Sequence, residues 1–139
     1  MRWSYLFVYG TLRSQAPQEE GRAMRTELQR VGRCLGLARW QAQLYQVSFY
    51  PAAIGSENPS DQVIGELYEI AESVLPALLA KLDIFEECSM SDLRPHEYDR
   101  IVSTVHLLET QESYTAHIYE YAKDVKNLKR IQSGDFLNP

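Results

Sequence analysis

The sequence has few cysteines, and its start does not resemble a secretory signal. Cys34 and Cys88 are the two cysteines among 139 residues. The apolar run that begins at Tyr5 is too short for the hydrophobic region of a signal peptide. We therefore expect a cytoplasmic protein whose two cysteines are reduced and not bonded to each other. Neither has a neighbouring base or second ligand that would predict thiol chemistry.

Positive charge and long hydrophobic runs are also scarce. The chain carries 14 Lys and Arg against 19 Asp and Glu, a formal net charge of -5. Surfaces that bind nucleic acid or anionic lipid are rich in basic residues, so we expect neither partner. No apolar stretch approaches the roughly 20 residues that span a bilayer, so we expect no membrane segment. The histidines at positions 96, 106 and 117 share no metal-ligand spacing with each other or with the cysteines, and we expect no metal.

The strongest feature that is present is an apolar segment near the start. Residues 5–9 are leucine, β-branched or aromatic, a short run typical of a strand buried on both faces, and Gly10 ends it. A glycine gives the backbone freedom to turn and lets another group come close. The amides of Gly10, Thr11 and Leu12 can then point together and form an anion-binding concavity. Taken alone, the same residues also fit an ordinary strand followed by a turn.

Strand patterns outnumber helix patterns in the rest of the chain. Apolar residues recur at helical spacing over residues 19–31 and again over residues 74–85, where Ser73 is the expected N-cap. Residues 49–54 contain a proline and predict an edge strand or a loop, either packed on the core or forming a pocket wall. Other patterns predict strands over residues 63–70, 101–107 and 114–121, and one bent strand or two short ones over residues 32–47.

These elements predict an α+β fold. Because the strands do not alternate regularly with helices, a small mixed, largely antiparallel sheet fits better than a doubly wound one. We expect this sheet to be curled or closed into a barrel with flanking helices, and the strand at residues 5–9 to be central in it. The length suits a single domain over residues 1–139. A small barrel can hold one small ligand in its interior or mouth.

Glu86 is an acidic residue at an apolar position of the second predicted helix. At roughly 100° per residue, it extends the stripe formed by Leu75, Leu79 and Leu82, provided that the helix runs that far. A carboxylate on such a stripe loses hydration, and its pKa rises towards the range of a general acid or base. The periodicity equally allows the helix to end at Ile84 and Glu86 to lie in solvent.

Taken together, several stretches resemble the γ-glutamylcyclotransferase-like family, which includes AIG2-like proteins and γ-glutamylamine cyclotransferases. The resemblance covers nearly the whole chain, in the family's order. The matching stretches are Val8-Tyr9-Gly10-Thr11-Leu12-Arg13, Tyr50-Pro51-Ala52, Gly65-Glu66-Leu67-Tyr68, Leu82-Asp83-Ile84-Phe85-Glu86, Tyr98-Asp99-Arg100, Tyr119-Glu120-Tyr121 and Gly134-Asp135-Phe136.

The resemblance implies a small mixed barrel with a cavity, and an enzyme that cyclises a γ-glutamyl amide to 5-oxoproline and releases an amine. It implies that Tyr9, Gly10, Thr11 and Leu12 bind the glutamyl part largely through backbone groups. It further implies that Glu86 is the general acid/base and that Tyr119 helps to line the pocket. The nucleophile is the substrate's own amine, so no metal or organic cofactor is expected.

The sequence leaves the substrate open and departs from the family pattern at one place. The glutamate of the family motif is often followed by glycine and soon by the Tyr-x-Arg strand. Here Glu87 follows instead, and residues 88–97 intervene before Tyr98. We expect this loop to rim the cavity and to influence the choice of leaving group. A non-catalytic module that binds a small molecule or a partner on the same fold is the alternative function.

Overall fold

A computed structural model describes residues 2–86 and 96–139 of the chain. The expectations for Cys88 and for the loop that contains it fall largely outside these residues, whereas Cys34 is exposed and free. The strands are β1 (Trp3–Val8), β2 (Gly32–Trp40), β3 (Ala42–Gln46), β4 (Pro51–Gly55), β5 (Val63–Ala71), β6 (Tyr98–Leu107), β7 (Ser113–Tyr121) and β8 (Lys129–Arg130). The helices are a 3₁₀ turn (Glu19–Gly21), α1 (Arg22–Val31) and α2 (Leu75–Phe85).

Five strands close into a barrel in the order β1-β5-β2-β6-β7. The pairings are antiparallel except for β1 with β7, which run parallel where Leu6 faces His117. The predicted α+β class with a curled, largely antiparallel sheet and flanking helices is therefore confirmed. The first strand lies between β5 and β7, as its unbroken apolar sequence predicts.

The apolar residues in the second half of β1, Leu6 to Val8, are buried on both faces of the strand, whereas Trp3 is exposed and Ser4 and Tyr5 are half-buried. Phe7 packs in a core cluster built from barrel strands, the small sheet and the C-terminal segment. Leu6 and Val8 point the other way, into a cluster that contains Leu28 of α1 and Leu82 of α2. Successive side chains of a strand alternate between faces, so a strand with a core on each side needs apolar residues at every position.

A second sheet of three strands, in the order β4-β3-β8, adjoins the barrel. Residues 32–47 form two strands, the second of the two arrangements that their pattern allows. β4 lies at the edge of its sheet, where Pro51 can be accommodated although it has no N–H to donate. Two residues suffice for β8, which is too short to leave a periodic pattern in the sequence.

Both predicted helices begin differently from their sequence expectation. The N-cap of α2 is Val74 and makes no side-chain capping hydrogen bond, so the prediction of Ser73 is wrong. The Val74 amide instead donates to the Ala71 carbonyl at 3.0 Å, a turn that leads directly from β5 into the helix. The segment predicted as one helix is a 3₁₀ turn followed by α1. Gly21 lies at the junction, close against the chain at Thr11.

Among the described residues, no helix is both long and apolar enough to cross a membrane.

Gly65 sets how closely β5 approaches β1, which gives a test of the barrel register. A Cβ at this position would lie 2.7 Å from Phe7 Cζ and closer still to the Val8 carbonyl oxygen. Gly65→Ala should therefore lower the free energy of unfolding by about 1–3 kcal/mol or more, measured by urea denaturation. In the control Gly55→Ala, the atom nearest to the added Cβ is an oxygen of the movable Glu120 carboxylate at 3.3 Å. The loss of unfolding free energy should therefore be smaller. Equal unfolding midpoints for Gly65→Ala and the unmodified protein would contradict this packing.

Candidate active site

A cavity of about 150 Å³ lies where the end of β1 meets the end of α2. Every site residue predicted from the sequence lines it: Tyr9, Gly10, Thr11, Leu12, Glu86 and Tyr119. The segment of residues 49–54, for which a pocket wall was one of the two expectations, contributes Phe49, Tyr50 and Pro51, and the loop expected to rim the cavity contributes Glu97. The other described lining residues, which sequence reasoning did not assign to the site, are Phe7, Val8, Glu20, Phe85 and Tyr98. The volume is below the roughly 300–1,000 Å³ of pockets for drug-sized ligands, and so suits a small chemical group.

Residues 9–12, which we call the β1 loop, turn sharply as they leave the first strand. The Arg13 amide donates to the Gly10 carbonyl at 3.0 Å and closes a turn over residues 10–13. In such a turn the amides of the two central residues, here Thr11 and Leu12, take no part in the closing hydrogen bond. They are therefore the groups of this loop best suited to donate to an oxygen of a ligand.

The β1 loop is held from the side of the first helix. Arg25 Nη1 donates to the Thr11 carbonyl at 2.6 Å, and Arg25 Nη2 donates to the Gln18 carbonyl at 2.7 Å. Gly21 packs so closely that a Cβ there would lie 2.7 Å from the same Thr11 carbonyl oxygen. The Thr11 carbonyl is thereby fixed on the helix side.

Two buried polar contacts hold the segment that follows the β1 loop. Arg13 is 5% exposed, and its Nη1 lies 2.6 Å from Asp135 Oδ1. Glu66 of β5 is 7% exposed and accepts hydrogen bonds from the Ser14 amide and hydroxyl, both at 2.7 Å. Burial acts to raise the pKa of Asp135, but the Arg13 guanidinium and other donors outweigh it and hold that pKa below its usual range.

Gly10 is needed for close packing rather than for an unusual backbone conformation. Among the described residues, the glycines with positive φ are Gly36 and Gly134. A Cβ at Gly10 would instead lie 2.8 Å from both Cγ and Cδ of Pro51. The group that the glycine allows to come close is therefore the proline ring of the second sheet.

Glu86 lies at the C-cap of α2, and the helical hydrogen bonding reaches it. Its amide donates to the Leu82 carbonyl at 2.8 Å, so Glu86 follows the buried Leu82 by one helical turn. Glu86 is half-buried and lines the cavity. Of the two arrangements that the periodicity allows, the structure has the one in which the helix continues to this residue.

The Glu86 carboxyl has the electrostatic environment of a group that titrates near neutral pH. Burial raises the pKa of Glu86 to about 8, and the nearby Glu97 carboxylate adds to the rise by repulsion. Burial is the larger cause, as the apolar stripe predicts. A carboxyl with this pKa exists in both protonation states around neutral pH.

Glu97 brings a further carboxyl to the same cavity. The Tyr50 hydroxyl donates to Glu97 Oε2 at 2.7 Å, and the Ala122 amide donates to the Glu97 carbonyl at 2.8 Å. These contacts fix both its side chain and its backbone just before β6. Glu97 belongs to the loop of residues 88–97 that we expected to rim the cavity, but sequence reasoning assigned it no role of its own. An acidic residue before a strand has no local feature that separates it from an ordinary surface residue.

Two buried tyrosines connect the walls of the cavity. The Tyr9 hydroxyl donates to the Tyr119 carbonyl, and the Tyr98 hydroxyl donates to the Pro51 carbonyl, each at 2.6 Å. Burial raises the pKa of both phenols well above the ordinary value. They therefore stay protonated as donors, and Tyr9 contributes a structural hydrogen bond besides lining the site.

Tyr119 presents its ring to the cavity and its hydroxyl to α2. The hydroxyl donates to Asp83 Oδ1 at 2.6 Å, and the Arg100 guanidinium donates to both oxygens of the same carboxylate at 2.9 and 3.2 Å. Arg100 thus forms an ion pair, and Tyr119 is oriented by it through Asp83.

Comparison with known proteins identifies related chains. The family model described as "Gamma-glutamyl cyclotransferase, AIG2-like" matches residues 6–138. No curated protein matches the chain.

Solved structures share the fold. An AIG2-like protein from Mus musculus is 24% identical with a TM-score of 0.69, and the match covers 95% of this chain and 88% of that one. The protein ytfP from Escherichia coli is 29% identical over 96% of each chain, with a TM-score of 0.61. YkqA from Bacillus subtilis is 24% identical with a TM-score of 0.66, and the match covers 97% of this chain but only 40% of that one.

The Arg13–Asp135 pair offers a test of how the β1 loop is supported. Asp135→Asn leaves a buried guanidinium without its counter-charge and should lower the free energy of unfolding by about 3 kcal/mol at pH 7. Because the pKa of Asp135 is depressed in the folded state, its stabilising effect should be lost as the pH falls below about 4. Denaturant titrations at pH 7 and pH 3 would measure both effects.

The matched control removes one charge from an exposed ion pair. Glu19 and Arg22 are joined at 3.2 Å, and both side chains are more than 70% exposed. Glu19→Gln should change stability by less than about 1 kcal/mol. Similar losses for the two variants at pH 7 would contradict a supporting role for the buried pair.

Proposed function

Because the chain belongs to the gamma-glutamyl cyclotransferase, AIG2-like family, we propose that it cyclises a γ-glutamyl amide to 5-oxoproline and releases an amine. The observation that carries the proposal is the placement of Glu86, whose pKa is raised to about 8, in one small cavity with the turn of the β1 loop.

The reaction needs few groups from the protein. The α-amino nitrogen of the glutamyl part attacks its own γ-carbonyl carbon, so one C–N bond forms and the five-membered lactam closes. The bond from that carbon to the departing nitrogen then breaks. Overall, one proton leaves the attacking amine and one reaches the departing amine. Orientation, a donor for the developing oxyanion and one group that moves the proton are therefore sufficient.

The β1 loop suits the binding and orienting part. The Thr11 and Leu12 amides are available beside the Gly10–Arg13 hydrogen bond, and backbone amides that converge in a turn bind anionic oxygens. Contacts to Arg25, Asp135 and Glu66 hold the surrounding chain before a ligand arrives. A loop held in this way loses little further conformational freedom when it binds.

Glu86 suits the proton transfer. With a pKa of about 8, roughly one tenth of the carboxyl is ionised at pH 7 and can accept the amine proton. The protonated form can then donate to the departing nitrogen. A catalytic group whose pKa is close to the working pH performs both steps efficiently.

Tyr119, Phe7 and Val8 supply an apolar boundary near the β1 loop, and the cavity volume fits a moiety the size of a glutamyl group. Tyr119 contributes the surface of its ring to the cavity wall, since its hydroxyl donates a hydrogen bond to Asp83.

Glu86→Gln tests the proposal, because it keeps the size of the side chain but removes its acid–base chemistry. Release of 5-oxoproline from a panel of γ-glutamyl amides should fall by about 10²–10⁴-fold. Circular dichroism and substrate binding should remain unchanged. The control Glu109→Gln alters an exposed carboxyl outside the cavity and should retain full activity.

The panel also separates catalysis from binding alone. Turnover by Glu86→Gln at the unmodified rate would refute the role of Glu86. If the unmodified protein binds a γ-glutamyl amide but turns over none of the panel, the non-catalytic binding module replaces the enzyme as the function.

A further inference from the structure

We propose that the cavity favours γ-glutamyl amides whose departing amine carries an additional positive charge, and that Glu97 is the residue that selects them. The inference rests on the proposed function for the identity of the glutamyl part. It concerns the other end of the substrate, about which the family relationship of this chain makes no statement.

The lining of the cavity is acidic and aromatic. Among the described lining residues, Glu20, Glu86 and Glu97 carry carboxyl groups and none is Lys, Arg or His. Aromatic rings complete this surface, and the faces of such rings attract cations. The aromatic lining residues are Phe7, Tyr9, Phe49, Tyr50, Phe85, Tyr98 and Tyr119.

Glu97 is held beside a group of these rings at the edge of the cavity. The Tyr50 hydroxyl bonds one of its carboxylate oxygens, and the Tyr50 ring lies 4.9 Å from the Phe49 ring and 6.3 Å from the Tyr98 ring, centroid to centroid. Phe49 is 44% exposed while lining the cavity, which places this group at the mouth. A carboxylate has about four acceptor positions, so the bond from Tyr50 orients Glu97 and leaves it able to accept more.

The order of the groups assigns each part of the substrate to a region. If the glutamyl part binds at the β1 loop and the reacting carbonyl lies near Glu86, the departing amine extends towards the mouth formed by Phe49, Tyr50 and Glu97. A cationic group there meets a carboxylate and ring faces. An anionic group, such as the terminal carboxylate of a peptide, is repelled by the Glu97 carboxylate.

Glu97 also raises the pKa of Glu86, so a change in overall rate would not by itself demonstrate selectivity. The ratio of two substrates within one variant removes this common effect. The comparison uses three γ-glutamyl amides whose departing amines have the same chain length. These amines are 1,4-diaminobutane, butylamine and 4-aminobutyrate, and their far ends are cationic, neutral and anionic, respectively.

The first experiment measures kcat/KM by 5-oxoproline release at pH 8 and low salt. The cationic amide should exceed the neutral one by up to about fivefold, as expected for one partly exposed ion pair, and the anionic amide should be the poorest. In Glu97→Gln the cationic-to-neutral ratio should fall towards one. In the control Glu109→Gln it should be unchanged. Added salt should reduce the ratio in the unmodified protein, since the Debye length shrinks from about 30 Å at 0.01 M to about 3 Å at 1 M.

The second experiment measures the dissociation constants of the same amides for Glu86→Gln by calorimetry, so that the result does not depend on turnover. The cationic amide should again bind most tightly and the anionic amide most weakly. This order of affinities should be lost in the double variant that carries Glu86→Gln and Glu97→Gln. Turnover without charge preference, or a preference that survives Glu97→Gln, would overturn this inference and leave the proposed function standing. Selective binding without turnover by the unmodified protein would refute the proposed function and support the inference.

Discussion

The burial of β1 on both of its faces is the constraint on which the rest of the structure depends. One face packs into the cluster of barrel strands and the small sheet, and the other packs against the helices. The strand therefore cannot shift along its axis without exposing apolar surface on one side or the other. Because the strand cannot shift, its end is also fixed. The β1 loop that follows is held between Pro51, which packs against Gly10, and Arg25, which bonds the Thr11 carbonyl. The position of β1 therefore determines where the cavity lies.

Two of the carboxyl groups that line the cavity, those of Glu86 and Glu97, lie in different environments. Glu86 ends a helix whose apolar face is buried, so its carboxyl loses hydration, and burial is the main cause of its raised pKa. Glu97 precedes a strand and receives a hydrogen bond from Tyr50. In the proposed reaction the first moves a proton and the second recognises charge. The fold brings the two residues together in one small cavity, Glu86 from the end of α2 and Glu97 from the residue before β6.

Much of the architecture was predictable because its signals are local. Alternation marks β6 and β7, unbroken apolarity marks β1, and helical spacing together with a motif match points to Glu86. The contacts that support the loop were not predictable in this way. Arg13 and Asp135 are 122 positions apart, and Ser14 and Glu66 are 52 positions apart. Glu97 becomes relevant only once the strands and Tyr50 bring it beside Glu86. Ser73 fails as a cap because the chain enters α2 through a backbone turn that needs no side-chain acceptor.

The central claim is that the Glu86 carboxyl moves the proton, and the pH dependence of kcat/KM tests it most directly. The acidic limb of this profile should rise with a midpoint near 8 if Glu86 must be ionised to accept the amine proton. Since Glu97 raises the pKa of Glu86 by repulsion, Glu97→Gln should move the limb to lower pH. The amine of the substrate titrates identically in both proteins and cannot produce this shift. A lower midpoint in Glu97→Gln is the predicted result, and identical limbs in the two proteins would contradict the account.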